Sequence, residues 1–233
     1  LHPSPRPTHP KQSLVAENPE QPLVDGRGRY VVTRFDHRRP FADAMNSVAG
    51  PKGKNLWAYF NNRCQGVASF GSNSSNGAIL QHEDAASSFR HSCLDGFRTM
   101  VNGYRSHADG EIEEFHFQPF LDDDLGSYTC SWSDPGAKPT ERNMFIGESE
   151  LEVEEWNYKV GVKTNILYSL VTEESFPGMV RRVSFANLLN TAVEMEVLDG
   201  LARVVPAGVC VDDVVRRANI NAGREVVGNA VST

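Results

Sequence analysis

From Val160 to Leu170 apolar and polar side chains alternate. Val160, Val162, Thr164, Ile166, Tyr168 and Leu170 fall on one side of an extended chain. A period of two predicts a strand with one face in a core and one in water. Two further stretches repeat the pattern. Met179, Val183 and Phe185 alternate with one charged interruption at Arg181, and Val193, Met195 and Val197 alternate against Glu194 and Glu196. Asn190-Thr191 lies between them and suits a turn. Strands of this half-wet kind belong to antiparallel sheets rather than to buried parallel ones.

Earlier in the chain the same logic predicts strands at Tyr30–Thr33, Leu56–Phe60, Arg63–Phe70, Phe97–Tyr104 and Ile112–Phe117. Asn61-Asn62 separates the second and third, and asparagine tolerates the left-handed backbone of a tight hairpin. Gly71–Gly77 is a Ser/Asn/Gly loop, and Ser106–Gly110 joins the last two strands. Asp122-Asp123-Asp124-Leu125-Gly126 reads as an acidic turn leading into Tyr128–Trp132. Residues 1–26 carry Pro3, Pro5, Pro7, Pro10, Pro19 and Pro22. Fixed φ angles and missing N–H donors oppose helix and interior strand there, so an extended arm is expected. Such an arm could also order against a partner. At the other end Val211 to Ala222 is the one candidate helix, with Asp212 and Asp213 early and Arg216 and Arg217 late, as the helix macrodipole favours. The expected fold is an all-β antiparallel sandwich over residues 27–233, preceded by the arm and carrying at most one short helix.

Composition narrows the function. With 39% hydrophobic residues among 233 the chain can build a real core, and a net charge of −7 argues against a nucleic-acid surface. No apolar stretch approaches the roughly 20 residues of a membrane span. No charged-then-apolar leader is seen, so a cytoplasmic location is expected. Cys64, Cys93, Cys130 and Cys210 form no CxxC motif. They read either as buried thiols in a reducing compartment or as disulfides in one of three pairings. Asn73-Ser74-Ser75 fits a glycosylation triplet.

Candidate chemistry is sparse. Glu150, Glu152, Glu154 and Glu155 could supply paired acid and base carboxylates, but Glu150, Glu152 and Glu154 share one strand face, and a wet face explains them without catalysis. Asp122, Asp123 and Asp124 lack the ligand spacing of a calcium loop, so a solvated turn or a loop reaching a sugar site is expected. The histidines show no HxH or HExxH spacing, and Ser87-Ser88 with His91 makes no nucleophile elbow. No metal or cofactor is expected. Trp57, Trp132 and Trp156 could be core residues or sugar-stacking platforms. Trp156 shares the face of the glutamates.

The most specific part of the chain is Glu148 to Val209. It contains Phe176-Pro177-Gly178-Met179-Val180-Arg181-Arg182-Val183-Ser184-Phe185-Ala186-Asn187 and then Glu196-Val197-Leu198-Asp199-Gly200-Leu201-Ala202-Arg203-Val204-Val205-Pro206-Ala207-Gly208-Val209. This resembles the N-terminal sandwich domain of the cellobiose- and chitobiose-phosphorylase-like inverting glycoside phosphorylases, where a "LVR…F.N" strand leads to "EVLDGL…P.GV". Phe117 to Trp132 is similar to that family's "RDDDTGDYWSPTW" region and departs from it at Cys130-Ser131-Trp132. Asn55 to Phe70 is similar only in outline to an early hairpin.

The resemblance covers residues 50–210 and implies a galactose-mutarotase-like super-sandwich. It implies that catalysis belongs to a downstream (α/α)-barrel, outside these 233 residues. There phosphate would attack the anomeric carbon of a β-glucoside or β-glucan while a carboxylic acid protonates the leaving oxygen. This domain would be non-catalytic. It would pack on the barrel or on a second chain, shape the pocket and contribute to a homodimer interface, with inorganic phosphate as co-substrate of the whole enzyme. Carbohydrate contact would fall to Trp132, Trp156, Asp122, Asp123 and Asp124. A barrel-free structural or interaction subunit and a carbohydrate-binding module are the competing expectations.

Overall fold

A computed structural model describes residues 23–47, 51, 53–72, 78–79, 89, 92, 96–107, 109–121, 140–201, 226–227 and 230–231. Residues 1–22 of the proline-rich arm, Asn73, His82, Ser87-Ser88, His91, the acidic turn Asp122-Asp123-Asp124, Trp132 and the Val211–Ala222 helix lie outside them.

In chain order the strands are β1 (Tyr30–Thr33), β2 (Ala42–Asn46), β3 (Leu56–Asn61), β4 (Val67–Ser72), β5 (Phe97–Ser106), β6 (Ile112–Phe117), β7 (Glu141–Ile146), β8 (Glu150–Asn157), β9 (Val162–Leu170), β10 (Met179–Asn187) and β11 (Val193–Leu201). A two-residue pair follows, β12 (Val226–Val227) with β13 (Ala230–Val231). One layer is a five-stranded sheet in the order β1-β7-β8-β9-β10, and two three-stranded sheets, β2-β3-β4 and β11-β5-β6, pack against it. Every pairing is antiparallel. The all-β antiparallel sandwich expected from the alternation is therefore the fold. No helix among the described residues is long and apolar enough to cross a membrane.

The alternation builds the core directly. In β8 and β9, Leu151, Val153, Ile166 and Tyr168 are fully buried and face one another across the register Leu151↔Tyr168 and Val153↔Ile166. They pack with Met144, Leu56, Ala58, Phe60, Val67, Met45, Phe35 and Phe120 between the five-stranded sheet and β2-β3-β4. Each such aliphatic or aromatic side chain contributes about 1.5–3 kcal/mol through burial. A second cluster joins Val101, Phe115 and Phe117 to Val160 and Val162 beneath β11-β5-β6. Phe115 lies across Gly103, its register partner; a Cβ there would come within 2.1 Å of the ring. Glycine is used at that point for close approach, not for a turn.

Two expectations need correction. The β3–β4 turn does not rest on left-handed asparagines. It runs over residues 62–66, and its left-handed positions are Cys64 (φ 51°) and Gly66 (φ 86°). Asn61 ends β3 and Asn62 is buried. The Asn62 amide donates to the carbonyls of Phe35 (2.9 Å) and Arg39 (3.2 Å), and its Oδ1 accepts from the Phe41 N–H (3.0 Å). A buried amide is retained because it satisfies backbone groups that water cannot reach. Cys64 is disulfide-bonded, which decides against a free buried thiol at that position. Cys93, Cys130 and Cys210 lie outside the described residues.

The second correction concerns Arg181. It does not interrupt the inward face of β10; it points inward with Met179, Val183 and Phe185. Its guanidinium pairs with Asp199 of β11. It also donates to Gln65 Oε1 (2.6 Å), Thr99 Oγ1 (3.1 Å) and the Tyr168 hydroxyl (3.3 Å), and it lies 5.0 Å from the Phe97 ring centroid. Burial pushes the Tyr168 hydroxyl up to about 12 against the opposing pull of Arg181, so it stays neutral and can accept this bond. Neighbours in sequence, β10 and β11 are not a hairpin: β10 pairs β9, and β11 pairs β5. The connection through Asn190-Thr191 steps from one layer to the other, closed by the Asn187 amide on the Thr191 carbonyl (2.6 Å).

Arg181→Ala should therefore loosen the two layers. The expected loss is roughly 2 kcal/mol, below the ~3–5 kcal/mol of a fully buried pair because Asp199 is partly exposed. Urea unfolding measures it; a variant as stable as the parent would remove Arg181 as a tie between the layers.

Candidate functional site

Strand β8 divides its carboxylates by parity. Glu150, Glu152, Glu154 and Trp156 face outward from the five-stranded sheet, whereas Leu151, Val153 and Glu155 face the core. The outward row is not the solvated face expected for it. Arg29 donates to Glu152 Oε2 (2.6 Å) and Glu150 Oε1 (3.3 Å) and is itself held by Asp25 (2.8 Å) and by the Phe145 ring (4.9 Å). Its side chain is 9% exposed. Asn165 bridges onward, donating to Glu152 Oε1 (2.7 Å).

The row ends on a compact aromatic and charged group. Register places Trp156 beside Glu141 and Lys163, and Glu154 beside Asn143 and Asn165. The Trp156 indole N–H donates to Glu154 Oε1 (2.6 Å) and Asn143 donates to the same oxygen (3.2 Å). Lys163 Nζ is 2.6 Å from Glu154 Oε2 and 4.3 Å from the Trp156 ring centroid. Tyr158 stacks beside the indole at 6.3 Å. Burial alone would raise the Glu154 carboxyl, but the bonds from Lys163, Trp156 and Asn143 outweigh it and hold the group below its ordinary value. It stays ionised.

Chemically this face offers an indole, two amides and fixed carboxylate oxygens, the groups that hold a pyranose ring and its hydroxyls. The Lys163 ammonium lies on the indole, so a sugar stacked there would have to displace it. Trp57 is buried at 7% exposure with its ring edge-on to Tyr59, a packing role.

Glu155 is the functional-looking residue that the strand-face reading passed over. It is fully buried, accepts from Arg142 Nε (2.8 Å) and from the Phe120 N–H (2.7 Å), and burial holds its carboxyl above the ordinary value despite Arg142. The signal was present in the sequence: Glu155 is in phase with Leu151 and Val153. Arg142 also donates to the Leu121 carbonyl (2.9 Å) and to Asp36 (3.3 Å). Glu154 and Glu155 sit on opposite faces of one strand and cannot flank a single glycosidic bond, which removes them as an acid–base pair.

The structure does not bring Trp156 together with the other expected sugar contacts, since Trp132, Asp122, Asp123 and Asp124 lie outside the described residues. His37, His107 and His116 are exposed beside Asp36, Glu113 and Glu114. Among the described residues no cluster of three or more His, Cys, Asp or Glu could hold a metal ion.

Glu155→Ala removes a buried carboxylate partner of the Arg142 guanidinium. A loss of about 3 kcal/mol in denaturant unfolding is expected. A neutral result would mean that the pair merely offsets its own desolvation.

Comparison with known protein families, and with curated protein sequences, finds no match for this chain.

Proposed function

We propose that this chain is the non-catalytic N-terminal sandwich domain of a glycoside-phosphorylase-like protein acting on β-glucosides or β-glucans with inorganic phosphate. One observation carries the reading. The two stretches that resemble that family become β10 and β11, and their charged residues Arg181 and Asp199 meet each other between the layers. A motif whose charges are spent on holding a sandwich together supports an architectural role. The β8 carboxylates fit the same role, because Arg29, Lys163 and Arg142 hold them. Catalysis then belongs to a barrel elsewhere in the protein, against which this domain packs, in a homodimer or with a second chain. Phosphate is the co-substrate of that barrel.

The test is phosphate-dependent release of glucose 1-phosphate from β-linked glucosides and glucans by the intact polypeptide that carries this domain. Release that requires phosphate is expected; its absence with every β-linked substrate would sink the reading.

A second reading is a carbohydrate-binding face at Trp156, Tyr158, Asn143 and Asn165, favoured by the indole and amides gathered there. Trp132, Asp122, Asp123 and Asp124 remain its proposed companions.

The cytoplasmic location expected from the sequence suits a protein with reduced thiols. The Cys64 disulfide favours an oxidising compartment instead. Thiol alkylation of the unfolded, unreduced protein from its natural source should leave Cys64 unmodified. Full modification of Cys64 would return the protein to a reducing compartment.

A further inference from the structure

The five-stranded sheet ends at β10 and the sheet β11-β5-β6 ends at β11, each a strand of nine residues. Both ends open on one side of the sandwich. β5 lies over β9, where the Phe97 and Tyr168 ring centroids are 5.4 Å apart, and β11 lies over β10, where Asp199 pairs with Arg181. Among the described residues no strand pairs with the outer edge of either. The other outer strands are protected. Along β1 the Leu23 carbonyl accepts the Val31 N–H (2.8 Å) and Val24 bridges Tyr30. Along β4 Ala78 bridges Gly71, and the Ile79 N–H donates to the Phe70 carbonyl (2.9 Å). β2 has five residues, and β6 presents Glu113, Glu114 and His116. Covering segments, short strands and charge keep a sheet edge from pairing further. β10 and β11 are long, contain no proline and have no covering segment among the described residues. Val197 shows the opening. It stands opposite Val101 and faces inward with it, yet it is 44% exposed and Val101 1%.

The ion pair between the layers sets the two edges at matching levels. Arg181 lies two residues before Val183, the midpoint of β10, and Asp199 two residues after Val197, the midpoint of β11. The strands run in opposite directions. Phe185, late in β10, packs against the same cluster as Val193 and Met195, early in β11. Val183 and Val197 therefore stand one above the other.

A single two-fold axis perpendicular to both layers then passes through both midpoints. It would pair β10 with β10 and β11 with β11 of a second copy, both antiparallel. Across β11, Glu194 would stand opposite Gly200, Glu196 opposite Leu198 and Met195 opposite Asp199 of the other copy. Across β10, Arg182 would stand opposite Ser184 and Val180 opposite Ala186. No two like charges are directly opposed, and like charges so placed are what forbids a pairing. The exposed Val180, Val197 and Leu198, at 57%, 44% and 70%, would all gain neighbours. Nine opposed residues supply about 8–10 backbone hydrogen bonds in each strand pair. Edges ~30 Å long and ~20 Å deep bury roughly 600 Å² per copy, enough for a specific interface at the lower end of the usual size.

We propose that β10 and β11 pair edge to edge with the same strands of a second copy of this chain, about a two-fold axis through Val183 and Val197. Nothing in this pairing depends on phosphorolysis, so its failure and the failure of the phosphorylase reading are separate results. Sedimentation of the full chain should show a dimer with a Kd of about 10 µM. Val197→Lys sets two ammonium groups against each other on the axis and should raise that Kd at least about tenfold, as should Val197→Glu. An equimolar mixture of these two variants should recover the dimer, because a lysine then meets a glutamate on the axis. Val197→Thr, which keeps the strand and adds no charge, should stay dimeric. One readout needs no substitution: amide exchange in β10 and β11 should slow as the concentration of the unaltered chain rises. Four results overturn the proposal: a chain monomeric at every concentration, a Val197→Lys dimer of unchanged affinity, a mixture no tighter than its components, or exchange protection independent of concentration.

Discussion

A guanidinium held between two sheets meets an awkward balance of forces. Taking Arg181 out of water costs several kcal/mol, and only well-placed partners repay it. Here each layer contributes. β9 offers the neutral hydroxyl of Tyr168, β5 the hydroxyl of Thr99 and the ring of Phe97, β11 the carboxylate of Asp199, and the β3–β4 turn the amide of Gln65. The apolar clusters on either side pull the layers together without specifying their alignment. Arg181 takes partners from both layers at once, so it ties the β11-β5-β6 sheet to the β9–β10 edge. It also explains the importance of the Cys64 turn: the left-handed residues there aim Gln65 at the guanidinium, and the disulfide holds them.

Charged side chains divide this molecule by parity rather than by type. Glu154 and Glu155 are consecutive, yet one is stabilised as an anion by its partners on the outward face and the other is pressed toward its neutral form in the core. The difference is the pleat, which turns successive residues to opposite sides. The same rule makes Arg181 a core residue and Arg182 a surface one.

That rule also marks how much could be read from the sequence. The strands at Leu56, Phe97, Ile112, Val160, Met179 and Val193 were legible because their apolar residues keep step over several positions. Arg181 and Glu155 were legible in phase but not in meaning: a charge on a core face looks like an error until its partner is known, and Asp199 and Arg142 are 18 and 13 residues away. The β3–β4 turn was misassigned because Asn61-Asn62 has turn chemistry, whereas the Asn62 amide is consumed by the backbone of residues 35–41 and the left-handed positions fall later, at Cys64 and Gly66. Trp156 was placed on its correct face, but the lysine over its ring came from a neighbouring strand whose register no local pattern reveals.

The clamp of Glu155 and Arg142 has a bearing on the segment between Leu121 and residue 140. One stem ends where the Phe120 N–H and the Leu121 carbonyl are bound; the other begins at Glu141, next to Arg142 itself. Both mouths of the segment are thus pinned to a single ion pair. Loss of that one pair would therefore release the end that follows β6 and the start of β7 together, although they are far apart in the chain.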